Sequence, residues 1–424
     1  MPVRPLRRIC VQWPRVGPYH RARLDAADGL LRAAGVEMVA METASADALY
    51  DWKPEALSGT YARRTLFPDT VFDTVAPARL HAAVTAALDD IDPDAVAIHS
   101  YSLPDARACL AWCRRRRRAA VLMYDSSEAN AARTGWREAA KRVLVSSYDA
   151  ALVAGGPQGR YAVRLGIDAG RVFAGYDVVD NDFFARRAQT VRDAPDDARS
   201  RLPGLADPDP FFLASARFME RKDLPTLLRA YGSYRARQMT HGGEPPWRLV
   251  LLGDGILRPS LERLLAAESI VGVEMPGWRQ LGDLPAYYAL AGAFVHTATV
   301  DQWGLVVNEA MAAGLPVVVS TGAGCTEDLV RDGENGFTFA PGDASALARH
   351  LAAVAHAVDR AAFAARSAEI IAAWPLERFG TNLLAAAQAG LGHADRPFDA
   401  RAQALIGALR LLARSPRAFH SVED

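Results

Sequence analysis

Short runs rich in Val, Ile, Leu and Ala alternate along the chain with longer segments rich in Ala, Leu and Arg. Strands read as near-continuous apolar runs when crossover helices cover both faces of a parallel sheet. The first series predicts strands at 8–13, 36–41, 95–99, 119–124 and 150–154, with helices at 20–34, 77–90 and 103–117. A sharper second series predicts strands at 211–216, 248–252, 272–275, 293–297, 316–320 and 336–339, each separated by a helix-sized segment. Residues 181–210 are rich in Arg, Asp, Ala and Pro without a sustained apolar period, and read as a connector with at most a short helix. Two amphipathic helices, 376–390 and 400–414, precede a polar tail expected to fray. The expected fold class is therefore α/β: two doubly wound parallel-sheet domains, 1–195 and 205–375, with residues 376–424 crossing back to the first. In such sheets, ligands bind beyond the carboxyl ends of the strands.

Composition narrows the partners. A chain of 424 residues, half of them apolar, can bury two cores of ordinary size. Forty-nine basic and forty-nine acidic side chains leave no net field to gather nucleic acid, so a charged ligand must meet local groups. The longest apolar stretches are strand-sized, well short of the roughly 20 residues that a spanning helix needs. The four cysteines, Cys10, Cys109, Cys113 and Cys325, form no framework, and no apolar leader follows Met1, which argues for a reducing cytoplasm. Cys109 and Cys113 sit four apart on a predicted helix, either packing there or offering two metal ligands with no second pair to complete a site. The basic run 114–118 closes a helix, where cations suit the dipole. It reads as a solvated face or, more sharply, as a peripheral contact with anionic lipid or a phosphate-bearing acceptor.

The candidate chemistry lies at the carboxyl edge of the second series. Arg217 ends a strand and Lys222 precedes a helix that Asp223 can cap and Pro225 can help to start. A planar Arg fork and a Lys point charge on one loop can neutralise the charge that grows on a diphosphate leaving group, although a solvated pair looks the same. Gly253-Asp254-Gly255 ends another strand in a turn where missing side chains would let a nucleotide approach the backbone. In Asp301-Gln302-Trp303-Gly304-Leu305-Val306-Val307-Asn308-Glu309, a strand ends, a glycine turns the chain and an apolar helix begins. Glu309 falls inside that helix, and a buried carboxylate needs donors, from ribose hydroxyls or from a neighbouring Arg. Asp301 sits at the mouth, where a sugar would lie, facing the helix-terminal amides of Gly304, Leu305 and Val306. Trp278, just beyond the strand at 272–275, is a further candidate for the donor site.

Taken together, 211–343 resembles the donor domain of family 4 (group 1) retaining glycosyltransferases of the GT-B fold. Arg and Lys five apart, the Gly-Asp-Gly turn, two acids eight apart and the following Gly-Leu-Pro-Val strand occur in that family's order. The resemblance implies two Rossmann-like domains facing a cleft and a nucleotide-diphosphate sugar of UDP or GDP type as co-substrate, with no cofactor. It implies that Arg217 and Lys222 bind the diphosphate, that Glu309 binds the ribose and that Asp301, usually Glu, contacts the transferred sugar. The acceptor, whether a saccharide, a lipid-linked molecule or a small molecule, is unidentified. The N-terminal half resembles the family more loosely, through residues 18–23 and 175–181, and places Gly17 near the donor phosphates. Relatives carry a His at the end of the strand that here reaches Asp125, with Glu128 beyond it; His99, ending the strand before, is a second candidate and equally a structural histidine. No metal site is expected: Asp92-Pro93-Asp94 and Asp207-Pro208-Asp209 match a loose Asp-x-Asp but flank proline in turns. The rival readings are a nucleotide-sugar epimerase of the same fold, a non-catalytic nucleotide binder and, last, a dehydrogenase, for which no Gly-x-Gly-x-x-Gly follows the first strand.

Overall fold

The computed structural model describes residues 4–46, 60–130, 135–241, 245–357 and 359–412. The polar tail expected beyond 414, and the last two residues of the helix expected at 400–414, lie outside them. The chain divides into two compact units, 1–178 with 376–424, and 179–375.

In the first unit β1 (Arg8–Trp13), β2 (Glu37–Ala46), β3 (Ala62–Val71), β4 (Ala95–His99), β5 (Ala119–Tyr124), β6 (Ala150–Val153) and β7 (Val172–Ala174) form one parallel sheet in the order β3-β2-β1-β4-β5-β6-β7. Its central strands are the buried apolar runs read from the sequence; β5 is covered at all six positions. The edge strand β3 escapes an apolar-run reading because none of its residues is fully buried and it carries Pro68, which an edge tolerates. What anchors it is polar: the buried Glu42 on β2 accepts from Thr65 at 2.7 Å and from Arg63 at 2.5 Å. The helix Leu376–Leu391 packs against the helix Pro18–Ala33 and against strands of this sheet.

The second unit holds β8 (Phe211–Ser215), β9 (Arg248–Leu252), β10 (Val273–Gly277), β11 (Ala293–His296), β12 (Val317–Ser320) and β13 (Gly336–Phe339), parallel and in the order β10-β9-β8-β11-β12-β13. Both sheets therefore reverse their strand order beside the first strand of the unit, between β1 and β4 and between β8 and β11. At these switch points the crossovers leave in opposite directions and open a crevice at the carboxyl edge.

The connector expected at 181–210 is largely helical, and the units divide before it. Asp180 accepts the Phe183 amide at 2.8 Å and starts the helix Asn181–Asp193, which Pro195–Arg201 follows. Phe184 and Ala188, four apart, bury a narrow stripe, with Phe184 edge-on to Tyr288 at 5.9 Å. The arginines on the other faces conceal that stripe from an apolar-period reading.

Candidate functional site

Lys222 follows β8 and Asp301 follows β11, so the switch point of the second sheet brings together two residues 79 positions apart. Lys222 Nζ donates to Asp301 Oδ2 at 2.5 Å, and both side chains are mostly covered. The loops are stitched to each other: Thr297 donates its hydroxyl to the Lys222 carbonyl at 2.8 Å, and the Thr299 amide donates to the Arg221 carbonyl at 2.9 Å. A third group, His296 at the end of β11, presents Nε2 to the same Asp301 oxygen at 2.8 Å and is 3% exposed. Burial by itself would push the Asp301 carboxyl up, but the Lys222 ammonium and then His296 hold it far below the ordinary carboxylate range. Burial also lowers His296, against the pull of Asp301. No sequence motif pointed to His296; the only signal was an imidazole inside an otherwise apolar strand.

Gly304 adopts φ 105° and starts the helix Leu305–Ala312. A Cβ there would lie 3.6 Å from both Asp301 Oδ2 and His296 Nε2, so the turn passes directly over the cluster. The first amides of that helix, those of Leu305 and Val306, have no acceptor within it. Glu309, one turn on, is fully buried, and its Oε2 accepts the Tyr288 hydroxyl at 2.7 Å. A phenol thus supplies a donor where the sequence suggested a ribose or an arginine.

Arg217, Gly253, Asp254 and Trp278 follow β8, β9 and β10 at the same edge of the sheet. The glycine turn has a reason different from the one expected. A Cβ on Gly253 would stand 1.8 Å from the Ala216 carbonyl oxygen, and one on Gly255 would stand 2.6 Å from that of Phe218. The missing side chains admit the neighbouring loop of the chain itself, which bonds back through the Phe218 amide to the Asp254 carbonyl at 2.8 Å. The Asp254 side chain faces outward, paired with Arg258 at 2.9 Å.

In the first unit Gly17 and His99 lie at the β1–β4 switch point, and Asp125 follows β5. The Trp13 indole donates to the Tyr176 hydroxyl at 2.9 Å, and the same hydroxyl lies 2.9 Å from His99 Nδ1. Burial, with the Arg23 guanidinium second, pushes the His99 imidazole down to about 4, so it is neutral at ordinary pH. Arg23 is itself buried, bonded to Asp177 at 3.0 Å and to the Val178 carbonyl at 3.0 Å. The Gly17 amide donates to His20 Nδ1 at 3.1 Å, and His20, stacked on Trp13, is likewise held low by burial first and Arg23 second.

Other residues singled out by sequence serve the fold. The basic run is not uniformly solvated: Arg114 is buried against Asp149, Arg118 binds Asp92 and Asp94, and Arg116 binds Asp89. The helix end folds down onto acids at the amino edge of the first sheet. Both Asp-Pro-Asp turns are engaged by arginines, Arg118 in one case and Arg248 in the other. Glu128 pairs with Arg164. Cys10, Cys109 and Cys113 are buried free thiols, and burial pushes Cys113 up to about 12. Among the described residues no group of three or more His, Cys, Asp or Glu could hold a metal ion, and no helix is long and apolar enough to cross a membrane.

Comparison with known proteins places this edge in context. Residues 197–369 match the family model described as "Glycosyl transferases group 1". A lipopolysaccharide core biosynthesis glycosyltransferase of Rhizobium meliloti, LpsE, is 34% identical over 152 residues, 36% of this chain and 41% of that protein. A GDP-mannose-dependent alpha-mannosyltransferase of Mycobacterium tuberculosis is 32% identical over 130 residues, 30% of this chain and 33% of that one. The chain thus matches less than half the length of either relative. The crystal structure of Anabaena Alr3699/HepE in complex with UDP superposes with a TM-score of 0.64 at 16% identity, covering 89% of this chain and 98% of that one. That likeness extends over both Rossmann-like units and marks the fold as GT-B. The family match falls on the second sheet and its helices, so that unit is similar to the group 1 glycosyltransferases.

Proposed function

We propose that this protein is a retaining, family 4-type glycosyltransferase that moves a hexose-type sugar from a nucleoside-diphosphate donor, bound by the second unit, to an acceptor taken by the first. The observation that carries the reading is the meeting of Lys222 and Asp301 across the β8–β11 switch point, beneath a helix amino terminus. A cation, a carboxylate and outward-facing amides at one crevice suit a sugar diphosphate: amides and cation for the phosphates, carboxylate for the sugar hydroxyls. HepE, whose structure contains UDP, and the GDP-mannose-dependent relative both support a nucleotide donor and leave its base open.

In this reading Arg217, Lys222 and the amides of Leu305 and Val306 stabilise the charge that develops on the departing diphosphate, which makes a metal unnecessary for the leaving group. Glu309 contacts the ribose, and Trp278 and the Gly253–Asp254 turn flank the nucleotide. In the first unit the acceptor meets neutral His99, and Asp125 as the nearby carboxylate. Buried, unpaired thiols fit a cytoplasmic setting.

A thermal-shift screen of UDP-, GDP- and ADP-sugars tests the donor half, since a ligand that binds only the folded state raises Tm. A stabilising donor should then be consumed with an acceptor extract, giving a product whose anomeric configuration matches the donor's by NMR. Stabilisation by no nucleotide sugar, or epimerisation of the sugar without an acceptor, would overturn the assignment.

A further inference from the structure

Asp301 Oδ2 receives two donors of different mobility. Lys222 reaches it at 2.5 Å on a flexible four-carbon stem, whereas His296 reaches it at 2.8 Å from the last position of β11, 3% exposed and held by the sheet. A diphosphate arriving at the crevice competes for the ammonium and can draw it away; it cannot draw away the imidazole.

We propose that His296 is the positioning residue for Asp301: it keeps the carboxylate in place when Lys222 turns to the donor diphosphate, and it takes up a proton from solvent in the exchange. This rests on the donor reading above. The exchange has room, because Gly304 puts no side chain over the cluster, where a Cβ would be 3.6 Å from both His296 Nε2 and Asp301 Oδ2. The titratable and charged groups facing His296 are Asp301, Lys222 and, across the Gly304 turn, the Cys325 thiol, whose Sγ would lie 3.5 Å from the same Cβ.

The sign follows from these neighbours. Without donor, burial opposes the imidazolium most, Asp301 favours it and Lys222 opposes it. Moving Lys222 onto a dianion removes one opponent and brings negative charge nearer, so binding promotes protonation. The proton goes to His296 Nδ1, since Nε2 already carries the hydrogen given to Asp301.

Calorimetry of UDP-glucose and GDP-mannose binding near neutral pH, in buffers of different ionisation enthalpy, reads the proton directly; neither ligand's diphosphate titrates there. Wild type should take up a fraction of a proton, at most about one per donor bound. His296→Gln, which retains an amide donor but cannot protonate, should bind the same donor with no uptake. His296→Leu should lose the preference for the nucleotide sugar over the bare nucleoside diphosphate, because Asp301 is no longer held for the sugar. Unchanged uptake in His296→Gln, or binding without uptake in wild type, overturns the proposal and leaves the donor reading standing. Failure of both nucleotide sugars to bind removes the donor reading and this proposal with it.

Discussion

Replacing Lys222 by alanine tests the site and its energetics together. Burial raises the Asp301 carboxyl, but Lys222 and His296 together outweigh that cost and pull it far below the ordinary carboxylate range. Its pairing therefore stabilises the fold above the unfolded carboxylate's pKa of about 3.9 and is lost as pH falls from there toward the depressed folded value. Truncating Lys222 leaves a mostly covered carboxylate with His296 as its remaining strong donor at 2.8 Å. Breaking such a pair costs about 1–3 kcal/mol, below the range for fully buried pairs because Lys222 and Asp301 keep 12% and 15% of their side-chain surface. Urea unfolding of wild type, Lys222→Ala, Asp301→Asn and the double variant at pH 7 isolates the coupling, and repeating the cycle below pH 4 should shrink it. Turnover of Lys222→Ala should fall about 100- to 1000-fold while its circular dichroism stays native. A coupling under about 0.3 kcal/mol would mean that the pair is only a surface contact. Near-normal turnover would remove Lys222 from the leaving-group site.

Tyr288→Phe leaves Glu309 Oε2 without its 2.7 Å donor in a fully buried place and should cost about 1–3 kcal/mol by urea unfolding; an effect below about 0.5 kcal/mol would show that other donors suffice. His99 is favoured neutral in the fold, so stability contributed above the unfolded imidazole's pKa of about 6.5 is lost as pH falls toward about 4. His99→Gln should flatten that acid limb of a Tm-against-pH profile, with the residue of the slope left to His20; an unchanged profile contradicts the burial argument. Gly253→Ala meets the Ala216 carbonyl oxygen and should lower Tm far more than Gly35→Ala, which shares a positive φ, at 72°, but has nothing within 4 Å of its Cβ. Equal shifts would show that backbone conformation, and not the close approach, fixes Gly253.

The ease with which this chain can be read depends on how far its information is local. β4, β5 and β9 start and stop where their apolar runs do, because a strand covered on both faces writes its burial into nearly every residue. β3 and the helix Asn181–Asp193 evade that reading for one reason: each is held by a few contacts, Glu42 with Thr65 in one and Phe184 with Tyr288 in the other, on an otherwise solvated element. The site divides in the same way. Lys222, Asp301 and Glu309 show in the sequence because spacing, turn glycines and an apolar helix surround each of them. The partners that set their chemistry do not: Tyr288 lies 21 positions before Glu309, and His296 is an unremarkable strand residue until the switch point brings Lys222 from 79 positions away to share its carboxylate. Strand order therefore does chemical work here. By placing β11 beside β8, the crossover sets a rigid imidazole and a mobile ammonium on one oxygen, and only that juxtaposition lets the binding of phosphate alter the state of a carboxylate meant for sugar.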